Sequence, residues 1–242
     1  MSDVYNAEFF EIRHYTENGI ASKYNTLPIA QFIMQVFNPS TILDIGCATG
    51  NLEYGFWLYD TNINIKGFDI SNYAIEHCIP EVKDNLFILD LEHETIPYPE
   101  NFFDLVIGID FLEHIHEEFI NYAISEITRV CNKYIFLRQP FCRFRFTLEN
   151  LHNEIMEYNN LTNIQRLEMI NNHPLVYTTD PDPACPYHPS ERDRYYFIQK
   201  FEQYNFHNIY LDEQYYKFPN CLSMCSWNTL VLENNENRNR FR

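Results

Sequence analysis

Five short apolar runs, Thr41 to Ile45, Ile63 to Phe68, Leu86 to Leu89, Leu105 to Ile109 and Tyr134 to Leu137, alternate with segments that carry helix signals. Short apolar runs of this kind read as strands covered on both faces, as parallel strands are. The segments between them are Asn51 to Tyr59, then Asn72 to Cys78 behind the capping residue Ser71, then His116 to Val130. This last one carries Phe119, Ile120, Ala123, Ile127 and Val130 on one stripe. Strand and helix repeated in this order wind a sheet with helices on both faces. The expected fold is therefore α/β, a Rossmann-like doubly wound sheet of about seven strands. Its last two strands are expected at Ile209 to Leu211 and Trp227 to Leu232, after a helix from Glu191 to Tyr204.

The 242 residues suit one elaborated domain, since domains run to ~150 residues. Within it, residues 1–40 read as an N-terminal helical cap, with apolar positions from Ile20 to Phe37 at helical spacing. Residues 41–139 form the core, and 191–233 complete it. Residues 140–190 are an insertion after the fifth strand, rich in Asn and Pro, and long insertions of this kind are usually lids or binding segments. The end, 234–242, reads as a polar disordered tail.

Acidic residues number 34 against 17 basic, a net charge of −17, which repels a phosphate backbone and disfavours nucleic acid as partner. No apolar run approaches the ~18 residues of a membrane helix, and Met1-Ser2-Asp3 opens no signal region. A membrane partner is not expected, and a cytoplasmic location is. Seven scattered cysteines, an odd number, look like reduced thiols rather than a disulfide framework.

The strongest local signal is Leu43-Asp44-Ile45-Gly46-Cys47-Ala48-Thr49-Gly50, a strand that ends in a glycine turn and opens a helix. Backbone amides and glycines there let a ligand approach closely. Asp69 ends the second strand, where an acid can accept hydrogen bonds from both ribose hydroxyls. Asp90 ends the third, where a carboxylate can accept from an exocyclic amine. The dinucleotide fingerprint needs a third glycine, but position 51 is Asn, so the spacing disfavours a nicotinamide cofactor.

From Ile42 to Leu137 these residues resemble the class I S-adenosylmethionine-dependent methyltransferases. That family's first motif has an acid two residues before Gly-Cys-Gly-x-Gly, matched here by Asp44, Gly46, Cys47 and Gly50, with Ala48 in place of the middle glycine. The resemblance implies S-adenosyl-L-methionine as cofactor. It implies Asp69 and Ile70 at the ribose and adenine, Asp90 and Leu91 at the adenine amine, and Ile109 along the methionine moiety. The first-ranked activity is methyl transfer to a hydroxyl of a small metabolite, such as a sugar or natural product. N-methylation of a peptide or amine is the alternative, suited by the acidic surface, and a non-catalytic cofactor-binding module is a third reading.

A hydroxyl acceptor needs a base, and His114 follows the fourth strand at the edge where the acceptor is expected. It reads equally as a packed structural histidine. His188, in the proline-rich Asp180 to Pro189, is the second catalytic candidate, with a solvated loop histidine as the competing reading. Asp110 is placed to orient a histidine, and Arg138 to contact substrate or to pair with an acid. No metal is expected for the chemistry, although Cys185, His188, Cys221 and Cys225 permit a tetrahedral zinc without requiring one. Tyr5, Phe9 and Phe10 suit either core packing or the wall of a pocket.

Overall fold

The structure is a computed structural model, and it describes residues 5–12, 26–139, 192, 194–211 and 229–235. In chain order the elements are α1 (Ala7–Ile12), α2 (Leu27–Phe37), β1 (Thr41–Ile45), α3 (Asn51–Tyr59), β2 (Asn64–Asp69), α4 (Asn72–Glu76) and β3 (Leu86–Ile88). They continue as β4 (Phe103–Ile109), α5 (Ile120–Val130), β5 (Cys131–Arg138), α6 (Arg194–Glu202), β6 (Phe206–Ile209) and β7 (Thr229–Asn234).

One seven-stranded sheet runs in the order β3-β2-β1-β4-β5-β7-β6. The strands from β1 to β5 pair in parallel, and β7 inserts antiparallel between β5 and β6. The order reverses between β1 and β4, so the loops leaving their carboxyl ends part in opposite directions and open a crevice.

Each face of the sheet is covered by helices. Ile29, Phe32 and Ile33 of α2 pack with Ile42, Leu105, Ile107 and Phe136 on one side. On the other, Ile120, Ala123, Ile124 and Ile127 of α5 and Phe197 and Phe201 of α6 pack on Leu43, Ile45, Val106 and Leu137. Such a sandwich leaves the central strands β1 and β4 almost no wet face, which is why their sequences run largely apolar. Helix α2 starts at a Pro in its first turn and stops at Asn38, whose left-handed backbone (φ 43°) sends its N–H back to the Met34 carbonyl. Arg129 of α5 donates to the carbonyls of Ile96 and Tyr98, and Glu126 accepts from the Ile96 amide, which ties down the connection into β4.

The expected strands and helices fall where the elements lie, with shifts at the ends. In the last strand Thr229 to Leu232 are all buried, because β7 is an interior strand with partners on both sides. The sixth strand ends at Ile209 rather than beginning there. Among the described residues no helix is long and apolar enough to cross a membrane.

Candidate functional site

Strand β1 ends in the glycine turn because its amides turn sideways onto β2: Gly46 N and Cys47 N both donate to the Phe68 carbonyl at 2.9 Å. Gly46 has φ +79°, and a Cβ there would stand 2.6 Å from the Phe111 ring. Both backbone and space therefore require glycine. Ala48 also takes a left-handed conformation, φ +48°, which costs an L side chain roughly 1–2 kcal/mol. Its amide donates to Asp69 Oδ2 at 2.9 Å, a charge-assisted bond that offsets that cost. The other oxygen of Asp69 accepts from Ser71 N at 2.9 Å, so the β2 end and the turn are one unit.

These elements border a pocket of about 710 Å³, counting its open mouth, at the carboxyl edge of the sheet. Of the residues singled out from the sequence, Gly46, Asp69, Ile70, Asp90, Leu91 and Ile109 line it, and so does His114. Asp44, Cys47 and Gly50 do not. Gly50 heads α3 in a left-handed conformation, Cys47 packs in a small core with Tyr54, Val82 and Leu86, and Asp44 is buried beneath the turn. His188 and the zinc candidates Cys185, Cys221 and Cys225 lie outside the described residues.

Asp44 is not alone under the turn. Glu53 of α3 is fully buried, and a carboxyl oxygen of it occupies the space where a Gly67 side chain would begin, 2.0 Å from an ideal Cβ. Neither buried oxygen of Glu53 meets a donor among the described residues, its neighbour being the carboxyl of Asp44, and a hydrogen bond between two carboxyls requires a proton. Burial pushes the Asp44 carboxyl up to about 8, against the lowering effect of that bond, with the charge of Asp69 adding to the rise. Burial, then the charge of Asp44, pushes Glu53 well above the ordinary carboxylate range. The Cys47 thiol is likewise held up, first by burial and then by Glu53, Asp69 and Asp44, so it is no nucleophile. Nothing in the sequence announces this: an acid in the first turn of a helix reads as a solvated partner of the helix dipole.

Around the pocket the strand-end acids have partners. Asp90 accepts from Glu92 N at 3.0 Å and faces His93 Nδ1 at 3.0 Å. Asp110 pairs with Arg138 Nη1 at 3.0 Å, which makes Arg138 an ion-pair residue. His116 is anchored on the buried Glu92, which accepts from its backbone N–H at 2.7 Å. His114 instead meets the N-terminal segment: Tyr5 Oη lies 2.9 Å from its Nδ1. Tyr5, Phe9 and Phe10 all line the pocket, so the aromatic N-terminus is a wall of it. The Tyr5–His114 contact spans 109 positions and only the fold reveals it.

Residues 42–134 match the family model of a methyltransferase domain. No curated protein matches the sequence significantly. Among solved structures, magnesium protoporphyrin IX methyltransferase of Synechocystis, crystallised with S-adenosylhomocysteine, superposes with a TM-score of 0.55 at 14% identity, covering 96% of each chain. A Pyrococcus horikoshii protein gives 0.57 at 17%, covering 95% of this chain and 99% of its own. An S-adenosylmethionine-dependent methyltransferase of Archaeoglobus fulgidus gives 0.55 at 16%, covering 94% and 100%. At these identities the structures speak for the fold. The strands that build the crevice thus lie in a segment that matches a methyltransferase domain, and the chain has the fold of the S-adenosylmethionine-dependent methyltransferases.

Proposed function

We propose that the chain is an S-adenosylmethionine-dependent methyltransferase that transfers its methyl group to a hydroxyl of a small metabolite, with His114 as the group that takes the hydroxyl proton. The observation that carries the reading is the position of His114 in the same pocket as the glycine turn and the acids of β2 and β3.

The pocket residues fit the cofactor. Asp69 accepts the Ala48 N–H on one oxygen and the Ser71 N–H on the other, with the Ile70 amide also bonded to it, and of the four or so lone-pair sites of a carboxylate this leaves room for a ribose hydroxyl. Ile70 and Leu91 supply apolar surface for a base, Asp90 an acceptor for its amine, and Gly46 and Ile109 a bare and an apolar contact for the methionine part. When bound, S-adenosylmethionine supplies a methyl group already activated by the sulfonium. What the chain adds is alignment, exclusion of water and proton removal. Aromatic side chains of the N-terminal segment serve the second task and His114 the third.

A second reading, N-methylation of an amine or peptide, has its own support. Among the described residues the charged liners Asp69, Asp90, Glu92 and Asp110 are all acidic, which suits a cationic acceptor.

His114→Ala tests the base. General-base removal costs roughly 10²–10⁴ in rate, so turnover on a hydroxyl acceptor should fall by about that factor while S-adenosylhomocysteine affinity stays within about threefold. Acceptors are found by following S-adenosylhomocysteine release over a panel of alcohols, sugars and amines. Unchanged turnover of a hydroxyl acceptor in His114→Ala would remove His114 from the chemistry. Turnover of amines alone would favour the second reading, and cofactor binding without any turnover the non-catalytic one.

A further inference from the structure

Tyr5 is held at both ends. Its backbone carbonyl accepts from Ser71 Oγ at 2.5 Å, while its hydroxyl reaches His114 Nδ1 at 2.9 Å. The Tyr5 and His114 rings meet edge to face, 5.8 Å apart at 86°. Ser71 is itself committed to the cofactor side of the pocket: its N–H donates to Asp69 Oδ1, and its Oγ accepts from Ala74 N to start α4. The rest of the segment is packed by rings, Phe9 edge-on to Tyr5 at 4.9 Å and Phe10 stacked on Tyr73 at 5.8 Å. The N-terminal segment thus links the acid at the end of β2 to the histidine after β4.

We infer that Tyr5 is a positioning residue for His114, holding the imidazole in the tautomer with its hydrogen on Nδ1 so that Nε2 is the atom that takes the acceptor proton. This rests on the base role of His114. Which ring nitrogen carries the proton is set by the hydrogen bond the other makes. With Nδ1–H donating to Tyr5 Oη, the lone pair stands on Nε2. The acceptor O–H bond then breaks, its proton passes to Nε2 and its electron pair stays on the acceptor oxygen. The imidazolium that forms keeps its Nδ1–H bond to Tyr5. Because the Ser71 bond uses the Tyr5 backbone, placing the base and covering the Asp69 side of the pocket are one event.

The test is Tyr5→Phe in the full chain. It keeps the ring, the wall and the carbonyl bonded to Ser71, and removes only the hydroxyl. Protein with ¹⁵N-labelled histidine is examined with S-adenosylhomocysteine by long-range ¹H–¹⁵N correlation, the His114 signals being those missing from His114→Gln. The inference expects the Nδ1–H tautomer in the wild type and its loss in Tyr5→Phe. It also expects kcat to fall about tenfold or more, with S-adenosylhomocysteine affinity within about threefold. An Nε2–H tautomer in the wild type, or a tautomer unchanged in Tyr5→Phe, overturns it. If His114→Ala leaves hydroxyl turnover intact, the base reading fails and takes this role with it. If His114→Ala abolishes turnover but Tyr5→Phe changes neither tautomer nor kcat, only the role of Tyr5 fails.

Discussion

Asp69→Ala is expected to weaken S-adenosylhomocysteine binding by on the order of a hundredfold or more. Two hydrogen bonds from ribose hydroxyls to a carboxylate are worth about 1.5–3 kcal/mol each, and every 1.4 kcal/mol is about tenfold in affinity. A second loss adds to the first. Asp69 holds the amides of Ala48 and Ser71, so its removal takes away a bond that supports the left-handed backbone of Ala48 at φ +48°. The turn should relax away from the geometry that receives the cofactor. Burial raises the Asp69 carboxyl, and the amides of Ser71, Ala48 and Ile70 act against that rise. Asp69→Asn keeps the shape while giving up the charge and one acceptor, so its loss should be intermediate. Calorimetric titration reads both variants, and unchanged affinity in Asp69→Ala would contradict the assignment of the ribose site.

Glu53→Gln is expected to change how stability depends on pH. Asp44 and Glu53 carry a proton in the folded protein at pH values where the unfolded chain has lost it, since the folded carboxyl of Asp44 stands at about 8 and that of Glu53 is also raised. The sign follows from linkage. The folded state binds more protons, so stability is fully present below the ordinary carboxylate range and is lost as pH rises toward about 8. One proton held only by the folded state corresponds to a slope of a little over ~1 kcal/mol per pH unit, or about 3 °C in Tm for a domain of this size. The groups that face the pair are Asp69 and Cys47, with Cys78 also within the field of Glu53. None of them is a cation. A glutamine at 53 keeps the volume, removes one of the two acids and offers Asp44 an N–H donor. Thermal unfolding at pH 5, 6.5 and 8 should therefore show a flatter profile for Glu53→Gln, with its gain over the wild type largest at pH 8. Parallel profiles would mean that the pair does not share a proton.

How far each feature was legible depends on the range of the interaction that makes it. Strands β1 and β4 were readable because burial on both faces leaves a short, largely apolar run, a local mark, whereas β2 carries Lys66 and edge strand β3 leaves Ile88 exposed. Helix α3 was readable to the residue, between a glycine turn and Asp60. Asp69 and Asp90 were readable because strand ends are local and the sheet's switch point brings such ends to one crevice. Strand β7 runs on to Asn234, past its expected end at Leu232, because its pairing with β5 and β6 continues through Glu233 and Asn234, a tertiary cause that polar residues do not announce. Asp44 and Cys47 belong to the glycine-turn motif, but a turn has an inside and an outside, and sequence does not say which residues face the pocket. Tyr5 on His114 and Glu53 under Gly67 are tertiary contacts between distant segments, with no periodicity to mark them.

The most direct measurement is calorimetric titration of the wild-type chain with S-adenosylhomocysteine, with NAD run under the same conditions. The account predicts one site per chain for S-adenosylhomocysteine, with a Kd on the order of micromolar, and no measurable heat from NAD. Binding of NAD with comparable affinity, or of neither ligand, would contradict the reading of the crevice between β1 and β4 as an S-adenosylmethionine site.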